Sequence, residues 1–150
     1  MSRWWGRSKR APEHVEPFSI GGALRVDVHS HLVPGVDDGT QTLTESLDLI
    51  AGLVNLGYQG AILTPHIYPG LYPNSETTLR PAFQELEAAS AQRWPDCHLH
   101  LAAEYYADDT FLDSIRQKEL LSFPVGLADA VLFEMGFHEV SPVLFDAVFE

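Results

Sequence analysis

From Leu24 onward the chain switches between two hydrophobic periods. "ALRVDVH", "GAILTPH" (Gly60–His66), "HLHLAAEYY" and "DAVLFEM" (Asp129–Met135) are short apolar or β-rich runs and predict four strands. Between them the spacing becomes helical. Leu43, Leu47, Ile50 and Val54 share one helix face, Thr42 and Glu45 fit a capping box, and Gly57 is a stop. A second helix is expected over about Thr77 to Arg93, with Pro81 tolerable only in its first turn. Asp108 or Asp109 caps a third helix that runs to about Leu120, and Ser141–Pro142 opens a fourth. Strands alternating with helices predict an α/β protein with parallel strands. Residues 1–22 show no sustained period and end in Gly21–Gly22; they read as a basic, flexible N-terminal tail before a domain over 23–150.

Charge sharpens this division. The net charge is −12, yet Arg3, Arg7, Lys9 and Arg10 are four of the nine basic residues, so the body is more acidic than the whole. An acidic body argues against non-specific nucleic-acid binding. No run approaches the roughly 20 apolar residues of a membrane span. Met1–Arg10 is basic but leads into no apolar segment, so a secretory leader is not expected. Cys97 is the single cysteine, which rules out an internal disulfide; no His or Asp constellation marks it as a nucleophile, so it reads as a small apolar filler. A cytoplasmic location is the expectation.

The candidate chemistry lies at the strand ends. "RVDVHSHLVPGVDDGT" (Arg25–Thr40) places His29 and His31 two residues apart, on one face of an extended chain, and follows them with Asp37 and Asp38. His66 closes the second predicted strand, Glu104 lies near the end of the third and Glu134 near the end of the fourth. In β/α barrels that rim is where active sites form. Mixed imidazole and carboxylate donors suit Zn²⁺, Mn²⁺ or Fe²⁺. Two such ions about 3.5–4 Å apart polarise a phosphoryl oxygen and generate hydroxide near pH 7, so phosphate-ester hydrolysis is the reaction class this set serves best. An unpaired buried carboxylate is costly, which makes Glu104 hard to explain as structure alone. His98 and His100 repeat the His-x-His spacing but lie lower on the third strand and read as structural; His14 and His138 are loop histidines. Tyr68, Tyr72, Tyr105 and Tyr106 are candidates to line a pocket for a phenyl ring.

Together, "DVHSHLVPGVDDGTQTLTESL", "GYQGAILTPH", "LAAEYY" and "VLFEMGF" resemble the PHP-type protein-tyrosine phosphatases of bacterial capsule and exopolysaccharide clusters. The resemblance covers about residues 24–150. It implies a distorted (β/α)7 barrel, a multinuclear cluster of manganese (or iron or zinc), and hydrolysis of phosphotyrosine on a tyrosine kinase of polysaccharide export. It also implies that a metal-bound hydroxide, not a cysteine, attacks phosphorus. By motif, His29 and His31 would bind a first ion and Glu104 would bridge to a second. One of Asp37 and Asp38, with His66, would bind a third, and Glu134 would join the later ligands. Gly35 and Gly39 would shape the loop presenting the aspartates. The family's proteins are longer, with later histidines, an Asp-x-His and phosphate-binding arginines; this domain has only Arg25, Arg80, Arg93 and Arg116. About four β/α units cannot close such a barrel, so the chain is expected to be the N-terminal part of one or to complete it with another chain, a homo-oligomer included. The competing readings are a PHP phosphoesterase acting on histidinol phosphate or a nucleotide, and a metal-binding or interaction fragment without turnover.

Overall fold

Thr42 starts the first helix as its capping box dictates. The Glu45 N–H donates to the Thr42 hydroxyl at 3.2 Å, and the Thr42 N–H donates to the Glu45 carboxylate at 3.1 Å. The computed structural model describes residues 25–136. Within them α1 spans Leu43–Asn55 and ends at Leu56, followed by Gly57 at φ 93°. α1 buries Ser46, Leu47 and Ile50. Thr42→Ala is expected to cost about 1 kcal/mol, read as a thermal midpoint lower by about 3 °C.

The second helix, α2 (Glu76–Arg93), corrects one expectation. Pro81 lies past the first turn and the helix runs through it. Proline has no N–H to return to the carbonyl of Thr77, but both residues are exposed, so water can satisfy that carbonyl. α3 (Asp109–Gln117) begins at Asp108, whose carboxylate accepts the Phe111 N–H at 3.0 Å, and stops at Lys118 in the left-handed region, short of Leu120.

Each of the second and third strand runs breaks into two pieces. β1 (Val26–Ser30), β2 (Gly60–Leu63) and β4 (His98–Leu101) form one parallel ladder in the order β1-β2-β4. β3 (His66–Ile67), β5 (Glu104–Tyr106) and β8 (Leu132–Glu134) form another in the order β3-β5-β8. The break falls at Thr64–Pro65, where proline lacks the N–H a ladder needs, and opposite it at Ala102–Ala103. The register survives the break: Gly60 faces His98, Leu63 faces Leu101, His66 faces Glu104 and Ile67 faces Tyr105. Bonds from the Ala102 N–H to the Leu63 carbonyl and from the Glu104 N–H to the Pro65 carbonyl bridge it.

The predicted strand over Asp129–Met135 also divides. β7 (Ala128–Ala130) turns back antiparallel on β6 (Phe123–Val125) through Gly126 at φ 64°, while β8 alone joins β5 in parallel. The cause is packing: Phe123 is buried with Ile62 and Ala102, and that cluster draws the hairpin against the strands. The main core lies between Leu47, Ile50, Leu79, Phe83 and Leu86 of the two long helices and Ala61, Leu63 and Leu101 of the strands. β2 is buried along its whole length, as a strand inside a parallel sheet requires. Cys97 is buried in the same core, and burial pushes its thiol pKa up. Among the described residues no helix is long and apolar enough to cross a membrane. The predicted tail and fourth helix, with His14 and His138, lie outside the described residues.

Candidate metal centre

His29 sits on β1 and His31 just beyond it, while His66 and Glu104 begin β3 and β5, immediately after the ladder break. The break therefore sets the height at which the ligand-type side chains emerge. The His29 Nδ1 lies 2.9 Å from the Thr64 hydroxyl, and its Nε2 lies 3.8 Å from Glu104 Oε1. The His31 Nδ1 donates to Asp37 Oδ2 at 2.8 Å, and its Nε2 lies 3.2 Å from Glu104 Oε2. His66 Nδ1 is 3.4 Å from Glu104 Oε2 and 3.6 Å from Glu134 Oε1; its Nε2 is 3.6 Å from Asp38 Oδ1. Glu104 thus stands at the centre of three imidazoles.

Among the described residues two donor groups are compact enough to share a cation: His29, His31 and Glu104, and His31, Asp38 and His66. The ligand atoms of each lie within 4.8 Å of one another. The surroundings fit a metal. A ligating histidine normally commits its other ring nitrogen to a protein partner, as His29 does to Thr64 and His31 to Asp37. The Nδ1 of His66 is buried with no hydrogen-bond partner among the described residues, an expensive state that a cation in the cluster would relieve.

The two aspartates divide the work. Asp38 is exposed and faces His31 and His66. Asp37 is buried and its oxygens are taken: Oδ1 by the Gly39 N–H at 2.9 Å, Oδ2 by the His66 N–H at 2.9 Å and by His31. It belongs to neither compact group. Its role in the geometry is to orient His31 and fasten the loop to β3. Glu134 is half-exposed and meets the cluster at His66. His98 and His100 are both exposed; His100 meets the Ser122 carbonyl at 3.2 Å.

The hydrogen bond to Asp37 raises the pKa of His31 against the opposing effect of burial, aided by the charges of Asp37, Glu104 and Asp38. Burial pushes the Asp37 carboxyl up, but bonds from His31, His66 and Gly39 outweigh it and hold its pKa below the ordinary 3.8. In the metal-free protein Asp37 therefore adds stability above that value, lost as pH falls through its folded pKa. His31 adds stability below its ordinary 6.5, lost as pH rises through its folded pKa. Asp37→Asn is expected to destabilise the metal-free protein by about 3 kcal/mol. Thermal midpoints across pH should show the gap widest between pH 3.8 and 6.5 and narrower on either side.

Sequence reasoning missed the supporting residues. Thr64, fully buried, also takes the Ser30 N–H at 3.2 Å. Asn74 donates through Nδ2 to the carbonyls of Val36 and His66, both at 2.9 Å, and so ties the aspartate loop to β3. An Asn in a Pro-rich loop is a common backbone bridge, and that was the available signal. Tyr105 is buried beside Phe111, and its hydroxyl accepts the Leu121 N–H at 2.8 Å.

The α/β scaffold of parallel ladders thus brings imidazoles and carboxylates from β1, the aspartate loop, β3 and β5 into groups that could hold a metal ion. Residues 25–147 match the family described as "Capsular polysaccharide synthesis, CpsB/CapC", and the chain belongs to that family. The tyrosine-protein phosphatase CpsB of Streptococcus agalactiae is 28% identical over 95 residues, which cover 63% of this chain and 39% of that protein. The tyrosine-protein phosphatase YwqE of Bacillus subtilis is 33% identical over 61 residues, 41% of this chain and 24% of that one. The chain thus spans well under half the length of these relatives. A solved structure from the pair YwqE of Bacillus subtilis and CpsB of Streptococcus pneumoniae, described as unique metal-dependent tyrosine phosphatases, shares the fold. Its TM-score is 0.68 at 23% identity, over 83% of this chain and 51% of that one.

Proposed function

We propose that this chain contributes to metal-dependent hydrolysis of protein phosphotyrosine in the control of capsule or exopolysaccharide synthesis, residues 23–150 forming the N-terminal part of a PHP-type barrel. The observation that carries the reading is Glu104 set among His29, His31 and His66, with the buried Nδ1 of His66 left without a hydrogen bond among the described residues. The names of the relatives support the substrate class. Bound Mn²⁺, Fe²⁺ or Zn²⁺ would supply Lewis acidity toward the phosphoryl oxygens and acidify water. The chain's own part is to hold and orient. His29 and His31 present Nε2 with Glu104 on one side; His66 and Asp38 close the other; Asp37 keeps the His31 Nδ1 proton in place; Glu134 adds a carboxylate beside His66. Arg80 pairs with Glu76, Arg116 with Asp113, and Arg93 lies over Trp94, so these three cations are committed elsewhere. A tyrosine kinase of polysaccharide export in the cytoplasm is the proposed substrate protein.

The test is metal content by elemental analysis, followed by turnover of a phosphotyrosine peptide beside histidinol phosphate. Stoichiometric metal, preference for the peptide, loss of activity with a chelator and recovery with Mn²⁺ are expected. Thiol alkylation should have no effect, because Cys97 is buried in the core. Undiminished turnover by His31→Ala would refute the metal mechanism.

A further inference from the structure

A short hairpin follows His66 directly, and the site reading above does not use it. Tyr68 and Tyr72 pair as an antiparallel bridge, with the Tyr68 N–H on the Tyr72 carbonyl at 2.9 Å and the Tyr72 N–H on the Tyr68 carbonyl at 2.7 Å. The hairpin is fastened at both ends. The ring of Tyr68 stacks on Tyr106 at 4.2 Å and 12°. Asn74, just past the other end, holds Val36 and His66 through its side chain. Between these anchors the ring of Tyr72 lies flat against the imidazole of His66, at 5.2 Å and 8°. Tyr72 is only half-buried, and Leu71 beside it is 61% exposed.

We propose that Tyr72 is a specificity residue: it offers an aromatic face, with Leu71 beside it, to the planar aryl group of a phosphate ester whose phosphoryl group lies at the His31–Asp38–His66 side of the centre. The inference rests on the phosphatase reading and extends it from a reaction to a preference for aryl over alkyl phosphates. A ring already held flat against His66 needs little ordering when a second ring meets it. Aromatic stacking is worth a discrimination of about two- to twelvefold.

The test uses the 150-residue protein loaded with Mn²⁺ and two non-hydrolysable probes, phenylphosphonate and ethylphosphonate, with affinities from calorimetry and metal content measured for every variant. The wild type is expected to bind phenylphosphonate about tenfold more tightly. Tyr72→Leu should bring the ratio close to one at unchanged metal content, and Tyr72→Phe should keep it. If the wild type binds both probes equally, or the leucine variant keeps the preference, the specificity role is overturned and the phosphatase reading stands. If the wild type binds neither probe, both readings fall. Should the leucine variant lose metal through its contact with His66, Tyr72→Trp decides: a larger aryl preference supports the role, and an unchanged one overturns it.

Discussion

Glu104→Gln is expected to strip the centre of metal while leaving the metal-free protein folded. Glu104 is 8% exposed, and its two oxygens lie within 3.8 Å of nitrogens on three different histidines. Without a cation, burial of that carboxylate costs stability, and a neutral amide of the same shape removes the cost. With a cation, glutamine offers one weak oxygen where glutamate offers two charged ones. Metal affinity should fall by about 100-fold or more, beyond what loss of an outer partner causes. The comparison that separates these effects is the thermal midpoint of both proteins with and without a chelator. Wild type should gain stability from metal, about 2.7 kcal/mol at a metal concentration 100 times its dissociation constant, and the variant should gain little. A variant that retains its metal, or unfolds without it, would show Glu104 to be structural.

Gly39→Ala should disrupt the aspartate loop. A Cβ at Gly39 would lie 2.1 Å from the His31 carbonyl oxygen, 2.5 Å from the His31 Cβ and 2.9 Å from its carbonyl carbon. These contacts are mostly backbone, so no side-chain rotation relieves them. The loop is held tightly: the Thr40 N–H bonds the His31 carbonyl at 3.1 Å, and the Gly39 N–H bonds Asp37. Either His31 moves off the cluster or the Asp37 bonds break. The expected cost is about 3 kcal/mol, a midpoint lower by roughly 10 °C, with loss of bound metal. Gly52→Ala is the control, because nothing lies within 4 Å of its added Cβ and an exposed helix favours alanine. If Gly39→Ala behaves like Gly52→Ala, the close approach is not a constraint on the fold.

Much of this was legible in residue order. Thr42 and Glu45 announced α1, and the apolar runs gave parallel strands in correct sequence. His29, His31, His66 and Glu104 were visible because polar residues at the ends of apolar runs stand out. Three things were hidden. The ladder break could have been suspected from Pro65, yet "HLHLAAEYY" carries no proline and breaks only because its partner does. The β6–β7 hairpin depends on Phe123 finding Ile62 and Ala102, a contact remote in sequence. The separate duties of Asp37 and Asp38 cannot be read from adjacent identical letters; they follow from which carboxylate the N–H groups of Gly39 and His66 reach.

The ladder break at Thr64–Pro65 has a consequence for how such a protein can change over generations. Below it β2 is buried along its whole length and is held by its ladders to β1 and β4. Above it His66 and Glu104 belong to a separate short ladder, with His66 fastened to Asp37 and Asn74. Substitutions in the upper layer can retune donors without reaching the packed layer beneath. A lineage can therefore explore new metals or substrates by altering a few letters after each apolar run, while selection for folding acts on different letters of the same strands.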